Sequence, residues 1–141
     1  RQVGFELGRH YGHQLRQSPH FAGIDLIIPV PLHPRKRRQR GYNQSACFAA
    51  GLAESMQLPW RETALERLSY TSTQTRKSRM ERIANVLNAF RLARPELVNN
   101  RHVLLVDDVL TPGATLEACG ARLLEAENVK LSMATIGIAQ I

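Results

Sequence analysis

Apolar residues recur at helical spacing near the start of the chain. Val3, Leu7, Tyr11 and Leu15 share one face of a helix expected over Val3 to Gln17. Gly4, Gly8 and Gly12 weaken that helix, but at the same spacing they form a stripe that another element can approach closely. Ser18-Pro19 ends it. Asp25-Leu-Ile-Ile-Pro29 reads as a strand, stopped by Pro29, Pro31 and Pro34. Gly41 to Met56 read as a helix with Ala46, Phe48, Ala49, Leu52 and Ala53 turned inward. Thr63 to Leu68 suggest a strand, Ser69 to Lys77 are polar, and Met80 to Val86 look helical. Asn88 to Leu92 suggest a short strand, and Pro95 marks a turn. Val103 to Val106 form an apolar run without polar alternation, the pattern of a strand buried on both faces. Leu116 to Glu125 read as a helix and Val129 to Ile138 as a last strand. Strands alternating with helices predict an α/β fold, a mostly parallel twisted sheet flanked by helices with right-handed crossovers.

The buried run ends on chemistry. Val103-Leu-Leu-Val-Asp-Asp-Val-Leu-Thr-Pro-Gly-Ala-Thr115 places Asp107 and Asp108 at the carboxyl end of the central strand, where open α/β sheets bind ligands. Thr111 to Thr115 then supply backbone N–H groups, two hydroxyls and the start of a helix, which suit a phosphate. Carboxylates repel phosphate but accept hydrogen bonds from sugar hydroxyls. Two such acceptors beside a phosphate cradle point to a ribose 5-phosphate. Pro112 contributes no N–H, so the cradle has one donor fewer. No G-x-x-x-x-G-K-[ST] is present, and no G-x-G-x-x-G follows a strand, which argues against a P-loop nucleotidase and a dinucleotide fold.

Composition fits a globular domain. The chain has 141 residues, 43% of them hydrophobic, and no apolar run approaches the ~18 residues of a membrane span, so no membrane insertion is expected. Cys47 and Cys119 are too few for a zinc set, and two free thiols fit a reducing, cytoplasmic setting. The net charge of +7 is unevenly placed. Arg35-Lys-Arg-Arg-Gln-Arg40 holds five cations in six positions, and Arg76, Lys77, Arg79 and Arg82 form a second cluster. Such fields attract pyrophosphate, nucleotides or nucleic acid. Aromatics make up only 6% of the chain, so nucleic-acid binding by these loops is expected to be chiefly electrostatic.

Three stretches carry a family resemblance. Asp107 to Thr115 resemble the 5-phosphoribosyl-1-pyrophosphate (PRPP) signature of type I phosphoribosyltransferases. Together with Ile28-Pro-Val-Pro-Leu-His-Pro-Arg-Lys-Arg-Arg-Gln-Arg-Gly-Tyr-Asn-Gln-Ser45, and with Gln74-Thr-Arg-Lys-Ser-Arg-Met-Glu-Arg-Ile-Ala-Asn85 followed by Ala89-Phe90, they resemble the competence protein F (ComF/GntX) family. The resemblance runs from about Asp25 to Ile141. Relatives carry a four-cysteine zinc module upstream. This chain begins with Arg, so we expect residues 1–20 to be a helix joining a missing module, the sole seat of Zn²⁺, to a phosphoribosyltransferase-like domain over residues 21–141.

The resemblance assigns roles. Asp107 and Asp108 face the ribose, and Thr111, Gly113, Ala114 and Thr115 hold the 5-phosphate. The loop Pro29 to Gly41 approaches the pyrophosphate, with Arg35, Arg40 and Asn43 in contact. A flexible loop over Thr71 to Asn85 closes on PRPP, with Gln74, Arg76, Arg79 and Arg82 as candidates. Asp107, Asp108 and Arg79 become the candidate catalytic residues. Mg²⁺ is expected with PRPP, held mostly by substrate oxygens and not directly by the protein. Asn85 has local hydrogen bonding as its alternative.

Other residues carry less. His10 and His13 have chelating spacing but no third ligand nearby, and read as surface or junction residues. His33 lies in the pyrophosphate loop, His102 has no assigned partner, and Trp60 and Phe90 read as core. Tyr42 either stacks on a base or anchors its helix, and the anchor is favoured. Three functions stay open: a phosphoribosyltransferase of nucleoside metabolism that releases pyrophosphate, a non-catalytic PRPP-sensing module, and a single-stranded DNA-binding component of DNA uptake that works with competence-machinery proteins. The acceptor substrate and the oligomeric state are not set by the sequence.

Overall fold

The computed structural model describes residues 1–68, 78–110 and 115–138, without the side chains of 79, 82, 83, 109, 110 and 138. Helix α1 (Gln2–Gln17) leads through a 3₁₀ turn to strand β1 (Leu26–Pro29), helix α2 (Pro34–Arg40) and helix α3 (Gln44–Met56). Strand β2 (Leu65–Arg67), helix α4 (Arg79–Asn88), strand β3 (Phe90–Leu92), strand β4 (His102–Leu110), helix α5 (Thr115–Leu123) and strand β5 (Lys130–Ile138) follow.

The main sheet runs β1-β4-β5, all parallel, with Leu26 opposite Val103 and His102 opposite Lys130. A further extended segment lies beside β1, where the Ile27 N–H donates to the Pro59 carbonyl and the Arg61 N–H to the Ile27 carbonyl. β2 and β3 form a separate antiparallel ribbon. The apolar run is buried on both faces, as its pattern requires. Leu26, Ile28, Val103 and Leu105 pack with Leu116, Cys119 and Leu123 of α5. Ile27, Leu104 and Val106 pack with Phe48, Ala49 and Leu52 of α3. The five residues expected to face inward from α3 are all buried.

Three expectations change. In α1 the Val3–Leu7–Tyr11–Leu15 face packs only in part: Leu15 meets the α3-side core, while Val3 is 72% exposed. The glycine stripe makes the close approach its spacing allowed, with Gly8 and Gly12 buried. A Cβ on Gly8 would strike the Phe48 carbonyl, and one on Gly51 the Phe5 carbonyl, so α1 and α3 meet backbone to backbone. Second, the expected loop Pro29 to Gly41 contains a helix. Pro34 opens α2 with φ preset, His33 Nδ1 accepts the Arg35 N–H at 3.1 Å, and Gly41 closes it at φ 86°. Third, β4 continues past Val106 to Leu110, so the acidic pair lies within the strand. Phe90 is core, whereas Trp60 is half-buried at its edge.

Candidate functional site

Parallel pairing fixes where β4 delivers its polar residues. Four buried residues anchor it to β1, and beyond Pro29 no partner residue of β1 covers Asp107 and Asp108. The two carboxylates therefore open into a cavity of about 220 Å³, lined also by Arg40, Asn43, Ser45, Arg67 and Thr115.

Hydrogen bonds set the geometry. Ser45 Oγ donates to Asp107 Oδ1 at 2.7 Å, and the Asp108 N–H donates to the same oxygen at 2.9 Å. Asn43 caps α3: its Oδ1 accepts the Ser45 N–H at 3.0 Å, and its Nδ2 donates to the Val30 carbonyl at 3.1 Å. The Val30 N–H in turn donates to the Val106 carbonyl at 2.9 Å. A continuous chain of bonds thus ties the end of β1, the start of α3 and the acidic pair together. Burial pushes the Asp107 carboxyl up from 3.8 to about 6; the Ser45 bond opposes the rise, and the Asp108 carboxyl adds to it. Cys119, on the α5 side, is buried, and its thiol is pushed up by desolvation, which leaves it inert as a nucleophile.

The sequence-derived residues separate as follows. Asp107, Asp108, Asn43, Arg40 and Thr115 converge on one cavity. Arg40 extends there from the end of α2, with Nη1 donating to Gln44 Oε1 at 3.1 Å. Asn43 is buried, with its amide engaged in capping and in the bond to Val30, so it positions the site. Arg35 lies on the exposed surface of α2 and does not line this cavity. Gln74, Arg76, Thr111, Pro112, Gly113 and Ala114 lie outside the described residues, as do the side chains of Arg79 and Arg82 at the start of α4. His33 is a helix cap, and His102 meets Ser132 Oγ at 2.7 Å while its N–H donates to Asp25 at the other end of β4.

Two cavity residues escaped the sequence reading. Ser45 sits 62 positions from Asp107, and nothing local links them. Arg67 arrives from the β2–β3 ribbon, its guanidinium 5.1 Å from the Phe90 ring centre. An isolated Arg in a short strand gives no signal beyond its charge.

A parallel sheet flanked by helices α3 and α5 gives the chain a type I phosphoribosyltransferase-like fold. Solved structures with this fold include the glutamine PRPP amidotransferase from B. subtilis complexed with ADP and GMP, with a TM-score of 0.61 and 22% identity over 94% of this chain and 26% of that one. An adenine phosphoribosyltransferase matches with a TM-score of 0.56 and 13% identity, over 93% of this chain and 64% of that one. Within the class, the chain is a relative of competence protein F. It is 39% identical to the Competence protein F of Haemophilus influenzae over 93 residues, 65% of this chain and 41% of that protein. It is 40% identical to the DNA utilization protein YhgH of Escherichia coli O157:H7 over 100 residues, 71% of this chain and 43% of that protein. The chain thus spans less than half the length of these relatives. No family model matches it.

Proposed function

We propose that this domain binds PRPP in the Asp107–Asp108 cavity and transfers its phosphoribosyl group with loss of pyrophosphate. The observation that carries this reading is the convergence of two acceptors, Asp107 and Asp108, with the cations Arg40 and Arg67 and with Thr115 at the start of α5. The carboxylates accept the ribose hydroxyls. Thr115, with its loop residues Thr111, Gly113 and Ala114, takes the 5-phosphate at the helix start. Arg40 and Arg67 face the pyrophosphate, where guanidinium forks suit paired phosphate oxygens. Arg76, Arg79 and Arg82 are proposed to add positive charge toward the pyrophosphate.

Magnesium fits as a companion of the substrate. It demands six oxygens in near-octahedral array and is commonly held largely by substrate phosphates and water. Its ligands would be pyrophosphate and ribose oxygens with water, and bound there it would neutralise the leaving group. The carboxylates meanwhile orient the sugar.

Incubation with PRPP, Mg²⁺ and a panel of bases, read by pyrophosphate release, tests the transfer. Release with one base supports it. Bound PRPP with no release from any base overturns transfer in favour of a sensing module. Absence of both binding and release overturns the whole reading.

A second reading is single-stranded DNA binding by a domain that works with competence-machinery proteins. It is favoured by α2, whose residues are all exposed and include five cations. Among the described residues no helix is long and apolar enough to cross a membrane.

A further inference from the structure

The carboxylate cavity has a neighbour. A cleft of about 370 Å³ opens beside it, and Asn43 lines both. Although aromatics are scarce in this chain, three converge here: Phe5 from α1, Tyr42 from the α2–α3 junction and Trp60 from the segment beside β1. Each is half-buried and lines the cleft. The backbone at Trp60 is pinned, because the residues on either side of it are hydrogen-bonded to Ile27 at 3.0 and 3.1 Å. Tyr42 already accepts a planar group, the Arg1 guanidinium, 5.4 Å from its ring centre. Arg37 lines the cleft and also belongs to α2, so the ring surface runs directly into the cationic helix. Glu62, in the same cleft, is paired with Arg37 at 3.4 Å, which offsets its repulsion of an anion.

Rings lining a cleft beside a row of cations are what a run of unpaired nucleotides requires. Bases stack on the rings without regard to sequence, and phosphates follow the charge. A peptide of acidic residues would use the cations but carries no aromatic bases to stack on the rings. We propose that the Phe5–Tyr42–Trp60 cleft stacks the bases of a single-stranded nucleic acid whose backbone tracks along α2. This rests on the nucleic-acid reading and is independent of PRPP binding. It also revises the expectation of chiefly electrostatic affinity, since folding gathers rings that the composition makes look sparse.

Trp60 is the sole tryptophan of the chain, so its emission reports on this cleft alone. The test titrates the protein with dT12 and with an abasic strand of equal length and charge, following Trp60 fluorescence and affinity. The cleft predicts quenching by dT12 only, and at least about a hundredfold tighter binding of dT12 than of the abasic strand, since three rings each add a stacking contribution. Tyr42→Ala is expected to weaken dT12 about tenfold and leave the abasic strand unchanged, and Tyr42→Phe to restore the loss. An rU12 arm distinguishes RNA from DNA as the source. Equal binding of dT12 and the abasic strand, or dT12 binding with unchanged Trp60 emission, overturns the cleft. If neither strand binds at low salt, the nucleic-acid reading fails with it, while a PRPP titration of the same protein judges the PRPP site separately.

Discussion

Asp107 gives the site a measurable pH signature. Its carboxyl is raised from 3.8 to about 6, chiefly by burial. An acid with a raised folded-state pKa holds its proton more tightly when folded, so folding stability falls as pH climbs from about 4 to about 6 and stays lower above that. Asp107→Asn is therefore expected to raise the melting temperature at pH 7.5 and to change it little at pH 4, while weakening PRPP binding. Thermal melts across that range check it; a lower melting temperature at pH 7.5 would contradict the burial argument. Ser45→Ala removes the bond that holds the pKa down. Carbon-13 titration of the ligand-free protein is expected to show Asp107 titrating at higher pH than in the parent, and an unmoved midpoint would sever Ser45 from the site. The acidic pair was legible because two adjacent carboxylates after an apolar run have a strong chemical meaning. Ser45 and Arg67 were not, because their roles exist only once distant segments fold together.

At the scale of elements, periodicity served wherever side chains do the packing. The inward face of α3 and the doubly buried strand follow directly from apolar spacing. In α1 the apolar period held only in part, and the closest contact is made by the glycines whose matching spacing the sequence also showed. Gly8→Ala and Gly51→Ala each place a methyl against the opposing backbone. Each is expected to cost about 1–3 kcal/mol by overpacking, read from denaturant unfolding; a neutral Gly51→Ala would show that the helices separate freely. α2 escaped notice because its run of cations has no apolar period, and its only signals are terminal ones, Pro34 at the start and Gly41 at the end.

Across the whole molecule, one parallel sheet sorts the surface into two neighbouring sites. The carboxylate cavity lies beyond the end of β1 along β4, and the ring-lined cleft adjoins it through Asn43. Fold class was legible from the alternation of strands and helices, whereas adjacency of the two cavities was not, since it depends on how α2 and α3 turn about Gly41 and Asn43. The central claim is that Asp107 and Asp108 receive the ribose of PRPP. Calorimetric titration with PRPP and Mg²⁺ of the parent, Asp107→Ala and Asp108→Ala tests it most directly. Binding to the parent with a loss of about 1.5–3 kcal/mol in Asp108→Ala, the range for a hydrogen bond to a charged group, is the predicted result. Unchanged affinity in both variants would contradict it.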